Sequence, residues 1–159
     1  MKYAADTSVS VAKSRAEIEE MVQRAGGAKF GTMLEPKRAF VIFELAQRRV
    51  MFELPLPDRS DFAKKKDRRG WPVTVSAEKQ QQAFEQACRS RWRALYLCIK
   101  AKLVSVESKV ESFEEAFLAQ IVVPNGQGSA RFGDLAIKAI AQAYSGEGLP
   151  PLLPSGGAS

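Results

Sequence analysis

One stretch near the middle of the sequence concentrates the side chains best suited to binding phosphate. Residues 58–75 contain six Lys and Arg but only three Asp. Clustered cations release counterions from nucleic-acid phosphates, and an aromatic ring stacks on an unpaired base. The stretch is therefore a candidate nucleic-acid-binding segment. Its candidate residues are Lys64, Lys65, Lys66, Arg68, Arg69 and Trp71.

Prolines at positions 55 and 57 end the strand that precedes this stretch. We therefore expect residues 58–75 to form a long, flexible polar loop, and compact domains seldom keep such a loop without a use. The alternative is a solvated loop whose charges only maintain solubility, with Trp71 packed against the core. The sequence leaves both interpretations open.

A second group of cations lies on the long helix predicted over residues 76–107. Arg89, Arg93, Tyr96 and Lys100 follow one another at helical spacing and share one face. Such a strip would track a phosphate backbone, which makes Arg89 and Arg93 candidate neighbours of the basic stretch. The competing interpretation has their aliphatic stems flanking the core and their charged heads in water.

Enzymatic chemistry has little support in this sequence. There is no histidine, which excludes catalytic triads and zinc sites that use one, and two cysteines are too few for a four-thiolate site. No glycine-rich phosphate loop is present. We therefore assign no catalytic residue, metal ligand or cofactor. A metal-dependent nuclease using Glu44 and Glu53 is the least favoured alternative, because neither has a lysine two residues later.

The elements that would position these residues begin with a helix and a hairpin. Ser14 and Glu17 have the spacing of a capping box, and Gly26 with Gly27 would end the helix that follows. A weak strand precedes a hairpin over residues 39–54. Pairing Leu45 with Arg48 gives the hairpin one apolar face, formed by Val41, Phe43, Leu45, Val50, Phe52 and Leu54.

The second half of the sequence is mainly helical. The long helix is followed by a capping box from Ser112 to Glu115, a short helix, a strand near residues 121–123 and a last helix. This order predicts the α+β class. We expect residues 1–148 to form one domain and residues 149–159 to form a proline-rich tail.

Two apolar surfaces are candidates for binding a protein instead. On the long helix, Leu97, Ala101 and Val104 share a face opposite the predicted core stripe, and the tail carries Leu149, Leu152 and Leu153. An exposed helix face would favour docking of another protein or of a second copy of the chain. A fully buried helix would weaken that interpretation.

Composition limits the partners and the location. The chain has 159 residues, 45% of them hydrophobic, and a formal net charge of +6. The charge favours acidic partners such as nucleic acid. No apolar run approaches a membrane span, and the first residues lack the apolar region of a signal peptide. We therefore expect no membrane partner and a location inside the cell.

Several short segments, spread over the sequence, carry a resemblance to known proteins. They are Thr7-Ser8-Val9, Lys13-Ser14-Arg15, Arg48-Arg49-Val50-Met51-Phe52-Glu53-Leu54-Pro55-Leu56-Pro57, Arg91-Trp92-Arg93-Ala94-Leu95, Ile99-Lys100-Ala101-Lys102-Leu103, Phe113-Glu114-Glu115 and Pro150-Pro151-Leu152-Leu153-Pro154. Together these segments resemble a family of uncharacterised small proteins of tailed bacteriophages and prophages. The resemblance covers nearly the whole chain and implies the cytoplasm of a bacterial host cell, but no activity.

The leading hypothesis is a non-enzymatic nucleic-acid-binding accessory protein of phage DNA metabolism, which binds through the basic and aromatic stretch. DNA is favoured over RNA, and a single strand is one form of the ligand. The alternative is a module or inhibitor that docks a host or phage protein, or that forms homo-oligomers through the long helix.

Overall fold

The structure, a computed structural model, describes residues 4–124 and 128–151 and has an α+β fold. These residues form two compact units. Residues 4–21, 32–41 and 53–101 form the first, and residues 22–31, 42–52, 102–124 and 128–151 form the second. The single domain expected over residues 1–148 stays a prediction.

The elements follow the predicted order. The α-helices are α1 (Val11–Arg24), α2 (Ala77–Glu107), α3 (Phe113–Phe117) and α4 (Phe132–Gln142). The strands are β1 (Ala28–Glu35), β2 (Arg38–Leu45), β3 (Arg48–Pro55), β4 (Lys64–Lys66), β5 (Pro72–Thr74), β6 (Val122–Pro124) and β7 (Ser129–Arg131). Short 3-10 turns cover Arg59–Phe62 and Leu118–Gln120, and a π-helical turn covers Ala143–Glu147.

Helix α1 begins earlier than predicted. It starts at Val11, and the hydroxyl of Ser10 accepts a hydrogen bond from the backbone N–H of Lys13. Ser14 therefore lies inside the helix, where it is buried and its hydroxyl has no partner among the described residues. The capping box predicted at Ser14 is therefore wrong, because the helix begins one turn earlier.

Glycine ends α1 as predicted. Gly26 has φ of 87°, and its N–H donates to the carbonyl of Gln23. The N–H of Gly27 donates to the carbonyl of Val22. These two bonds form a Schellman motif, which needs a left-handed residue at the position of Gly26.

Three antiparallel strands form a sheet in the order β1-β2-β3. The β2–β3 turn contains only Ala46 and Gln47, with φ of 50° and 61°, which is the geometry of a type I′ turn. The turn places Leu45 opposite Arg48 as predicted. All six residues of the predicted apolar face are buried: Val41, Phe43, Leu45, Val50, Phe52 and Leu54.

An aromatic cluster forms the core of the second unit. Phe43 is fully buried, and its ring centroid lies 6.5 Å from that of Phe30, 6.3 Å from that of Phe52 and 6.5 Å from that of Phe117. Phe117 meets two of these rings edge-on. Such edge-to-face pairs stabilise a core beyond the burial of their area. The cluster fixes the hairpin face that the sequence predicted.

The long helix α2 has the predicted extent. Trp92, Leu95 and Ile99 are its buried residues. It ends at Glu107 in a second Schellman motif, in which Lys109 N–H donates to the carbonyl of Val106 and Val110 N–H donates to the carbonyl of Ser105. Lys109 therefore has a positive φ of 56°.

Helix α3 starts with the predicted capping box. The hydroxyl of Ser112 accepts from the N–H of Glu115, and the carboxylate of Glu115 accepts from the N–H of Ser112. This hydrogen bond from the backbone lowers the pKa of Glu115.

Across residues 4–124 and 128–151, none of the helices has the length and apolar character that a membrane span requires.

Candidate nucleic-acid interface

The prediction of an unstructured loop over residues 58–75 is wrong. Asp58 caps the first 3-10 turn, because its carboxylate accepts a hydrogen bond from the N–H of Ser60. The same carboxylate lies 2.9 Å from the ammonium of Lys37. The bond from Ser60 and the contact with Lys37 lower the pKa of Asp58 to about 2. The start of the stretch is therefore attached to the turn between β1 and β2.

Strands β4 and β5 form an antiparallel hairpin. Lys64 pairs with Thr74, Lys65 with Val73 and Lys66 with Pro72. At one end of this ladder the N–H of Val75 donates to the carbonyl of Ala63. We call residues 63–75 the basic hairpin.

A single carboxylate orders the turn of the basic hairpin. Asp67 Oδ1 accepts the N–H groups of Arg69 and Trp71 at 2.8 and 2.9 Å. The carbonyl of Asp67 accepts from Gly70, whose φ is 84°. A three-residue connection with glycine in the left-handed region is a common hairpin geometry. The turn therefore follows from Asp and Gly at this spacing.

The structure brings six predicted residues together on the basic hairpin, and all six are exposed: Lys64, Lys65, Lys66, Arg68, Arg69 and Trp71. Trp71 is 69% exposed, so it does not pack on the core. Within residues 4–124 and 128–151, no carboxylate forms an ion pair with any of the five cations. Their charges are therefore available to an external anion.

The predicted strip on α2 is engaged within the protein. Arg89 donates to the side-chain oxygen of Gln86 at 3.2 and 2.5 Å. Arg93 forms an ion pair with Glu17, and its guanidinium carbon lies 4.0 Å from the ring centroid of Tyr96. Both arginine side chains are half-buried. These contacts favour the interpretation in which the two arginines flank the core. Arg89 and Arg93 therefore differ from the cations of the basic hairpin, which are exposed and form no ion pair within the described residues.

Val73 and Asp67 also belong to the basic hairpin, but they were not among the predicted site residues. Val73 is 42% exposed and lies opposite Lys65. Asp67 is the acid that orders the turn. The spacing of Asp67 and Gly70, with Asp first and Gly fourth in a β-turn, is the signal that predicts this turn from sequence.

The residues of the alternative, protein-binding hypothesis are exposed where the structure describes them. On α2, Leu97 is 37% exposed, Ala101 is exposed and Val104 is 48% exposed. Within the described residues, this face of α2 is therefore exposed, which is the condition that favours docking. Leu149 is 65% exposed. Leu152 and Leu153 lie outside the described residues.

The two carboxylates considered for a nuclease are paired with cations. Glu44 lies 2.7 Å from the ammonium of Lys29, which lowers the pKa of Glu44, and 3.8 Å from Arg49. Glu53 lies 3.5 Å from Arg38. In the part of the chain that the structure describes, no three acidic or cysteine side chains group closely enough to hold a metal ion.

The fold is thus of the α+β class, with the exposed basic hairpin between β3 and α2 in the chain. Comparison of the chain with protein-family models, with curated proteins and with solved structures finds no match.

Proposed function

We propose that the protein binds nucleic acid through the basic hairpin, as a non-enzymatic accessory protein of phage DNA metabolism. DNA is the favoured nucleic acid, as in the sequence-based hypothesis. Five cations occur within six consecutive residues, 64–69. Each contact between such a cation and a phosphate releases counterions, and this release is the main source of sequence-independent affinity.

The observation that carries the proposal is the exposure of Trp71 beside these cations. Tryptophan is highly buried on average, and it is enriched at binding interfaces. A largely exposed tryptophan is therefore a sign of a binding surface. Trp71 is 69% exposed, and its backbone N–H donates a hydrogen bond to the carboxylate of Asp67. The ring is therefore presented on an ordered turn.

The test is the salt dependence of binding to a labelled oligonucleotide. If five cations contact phosphates, the logarithm of the association constant should fall with the logarithm of salt concentration with a slope of about −4. Replacing Lys64, Lys65 and Lys66 together by Ala should make that slope about 2 to 3 units less steep. Stability should change little, because exposed side chains away from the core contribute little to folding.

A charge-matched variant separates a local site from general attraction. Lys13, Lys79 and Lys138 are also exposed lysines, and none lies in the basic hairpin. Their joint replacement by Ala lowers the net charge by the same three units. We expect this control to change the slope far less than the hairpin variant does. Equal changes in the two variants would refute a site on the basic hairpin.

Protein binding through α2 is a second candidate function. Its support is the exposure of Leu97 and Ala101, one helical turn apart. Association of two copies through this face would double the mass measured by light scattering, and Leu97→Glu would restore the monomer mass. A monomer at all concentrations would leave only a different protein, of the host or of the phage, as the partner.

A further inference from the structure

The two faces of the basic hairpin carry different side chains. Successive side chains of a strand point to opposite faces, and residues directly opposite each other share a face. The register therefore places Lys65 and Val73 on one face. The other face has Lys64 with Thr74 and Lys66 with Pro72.

Trp71 belongs to the face of Lys65. The N–H of Asp67 donates to the carbonyl of Trp71 at 2.9 Å, so the ladder continues in register beyond Pro72. Trp71 is two residues before Val73 and thus shares its face. These two apolar side chains are 69% and 42% exposed. We call Lys65, Trp71 and Val73 the stacking face.

We propose that the ligand is single-stranded nucleic acid, with one base on Trp71 and the adjoining phosphate at Lys65. This inference rests on the proposed function. In a duplex the flat faces of the bases are stacked on one another, and only their edges are open in the grooves. An indole ring that stacks needs an open flat face, which an unpaired base provides.

Trp71 has a matched internal control. The only other tryptophan, Trp92, is 2% exposed. Stacking of a base should therefore quench the fluorescence of Trp71 and leave that of Trp92 unchanged. In Trp71→Phe protein, the remaining emission should not respond to an oligonucleotide, although the phenyl ring should preserve most of the binding.

Trp71→Ala tests the stacking contribution directly. We expect affinity for a thymidine 20-mer to fall by about 5- to 150-fold, the range measured for loss of base stacking. The salt slope should stay the same, since stacking releases no counterions. Affinity for a 20-base-pair duplex should change less than twofold. A melting curve shows whether the variant is folded, and Trp71→Phe provides the second readout.

A neighbouring pair of lysines tests which face of the basic hairpin the single-stranded nucleic acid contacts. Lys65 and Lys66 are both exposed, carry the same charge and lie on opposite faces. Lys65→Ala should make the salt slope for the single strand less steep by about 0.7, the value for one phosphate contact. Lys66→Ala should change it by less than half as much. A larger effect of Lys66→Ala would overturn the assignment of the face.

The outcomes separate this inference from the proposed function. Duplex binding as tight as single-strand binding, with no effect of Trp71→Ala but a reduced slope in the triple lysine variant, would overturn the inference and support the function. No binding to either oligonucleotide at low salt would overturn both. Single-strand binding that depends on Trp71 and Lys65 supports both.

Discussion

Replacing Lys109 by Gly should make the protein more stable. Lys109 occupies the left-handed position of the Schellman motif after α2, with φ of 56°. For a residue with a Cβ atom, the left-handed region costs roughly 1 kcal/mol or more, whereas glycine adopts it readily. The corresponding position after α1 is already glycine, at Gly26.

The gain in stability from Lys109→Gly is measured against a control variant that keeps the strained backbone. Lys109→Ala removes the side chain and its favourable charge near the helix C-terminus but retains a Cβ atom. The Gly variant should therefore exceed the Ala variant by about 1 kcal/mol in free energy of unfolding. For a chain of this length that corresponds to roughly 2 to 4 °C in melting temperature.

Urea unfolding, with the m-value unchanged, is the assay for this comparison. A Gly variant no more stable than the Ala variant would refute the reasoning, because the left-handed conformation at Lys109 would then carry no penalty.

Three further predictions concern the core, a close backbone approach and a titrating carboxylate. Phe43→Ala should lower the free energy of unfolding by about 3 to 5 kcal/mol, and a loss below 1 kcal/mol would contradict its buried position. Gly133→Ala should destabilise instead of stabilising α4, because the added Cβ would lie 2.7 Å from the carbonyl oxygen of Ala119, which a thermal melt would detect. The pKa of Asp58 is depressed, so its stabilising contribution is complete above about pH 4 and is lost as pH falls towards 2. An NMR titration should give a midpoint of about 2, and Lys37→Ala should raise it.

The hairpin β2–β3 could be predicted from sequence because its alternation leaves one register that buries a continuous apolar face. That face is decisive, since a slip of one residue would turn Phe43 and Phe52 outward. The turn between the strands was harder to predict. Ala46 and Gln47 are poor residues for positive φ, so the packing of the two strands, and not local preference, imposes the type I′ geometry.

The basic hairpin was missed as structure because lysine and aspartate are depleted in strands. Its order comes from backbone bonds to Asp67 and from the glycine at position 70. The start of α1 was misplaced for a different reason. The pattern from Ser14 to Glu17 fits a capping box, but the helix begins one turn earlier, and Ser10 has Lys13 in place of an acidic third residue.

The cationic strip on α2 shows that the sequence pattern of one helix does not predict which of its cations are paired. Arg89 and Arg93 lie on the predicted face, but the partner of Arg93 is Glu17, which is 76 positions away in the chain. Whether a cation is free for a ligand depends on such distant contacts. The five cations of the basic hairpin are exposed in the structure, and their role in binding stays a prediction.

The exposed basic hairpin has a consequence for proteolysis. Trypsin cleaves after lysine and arginine, and residues 64–69 include five of these residues. All five are exposed, and proteases cut such exposed connections first. A cut after Arg69 divides the 159 residues into fragments of 69 and 90. The first unit draws residues from both fragments, so we expect the nicked halves to stay together. Limited digestion would then cut the basic hairpin in a protein that otherwise remains folded, and the proposed nucleic-acid ligand should slow that digestion.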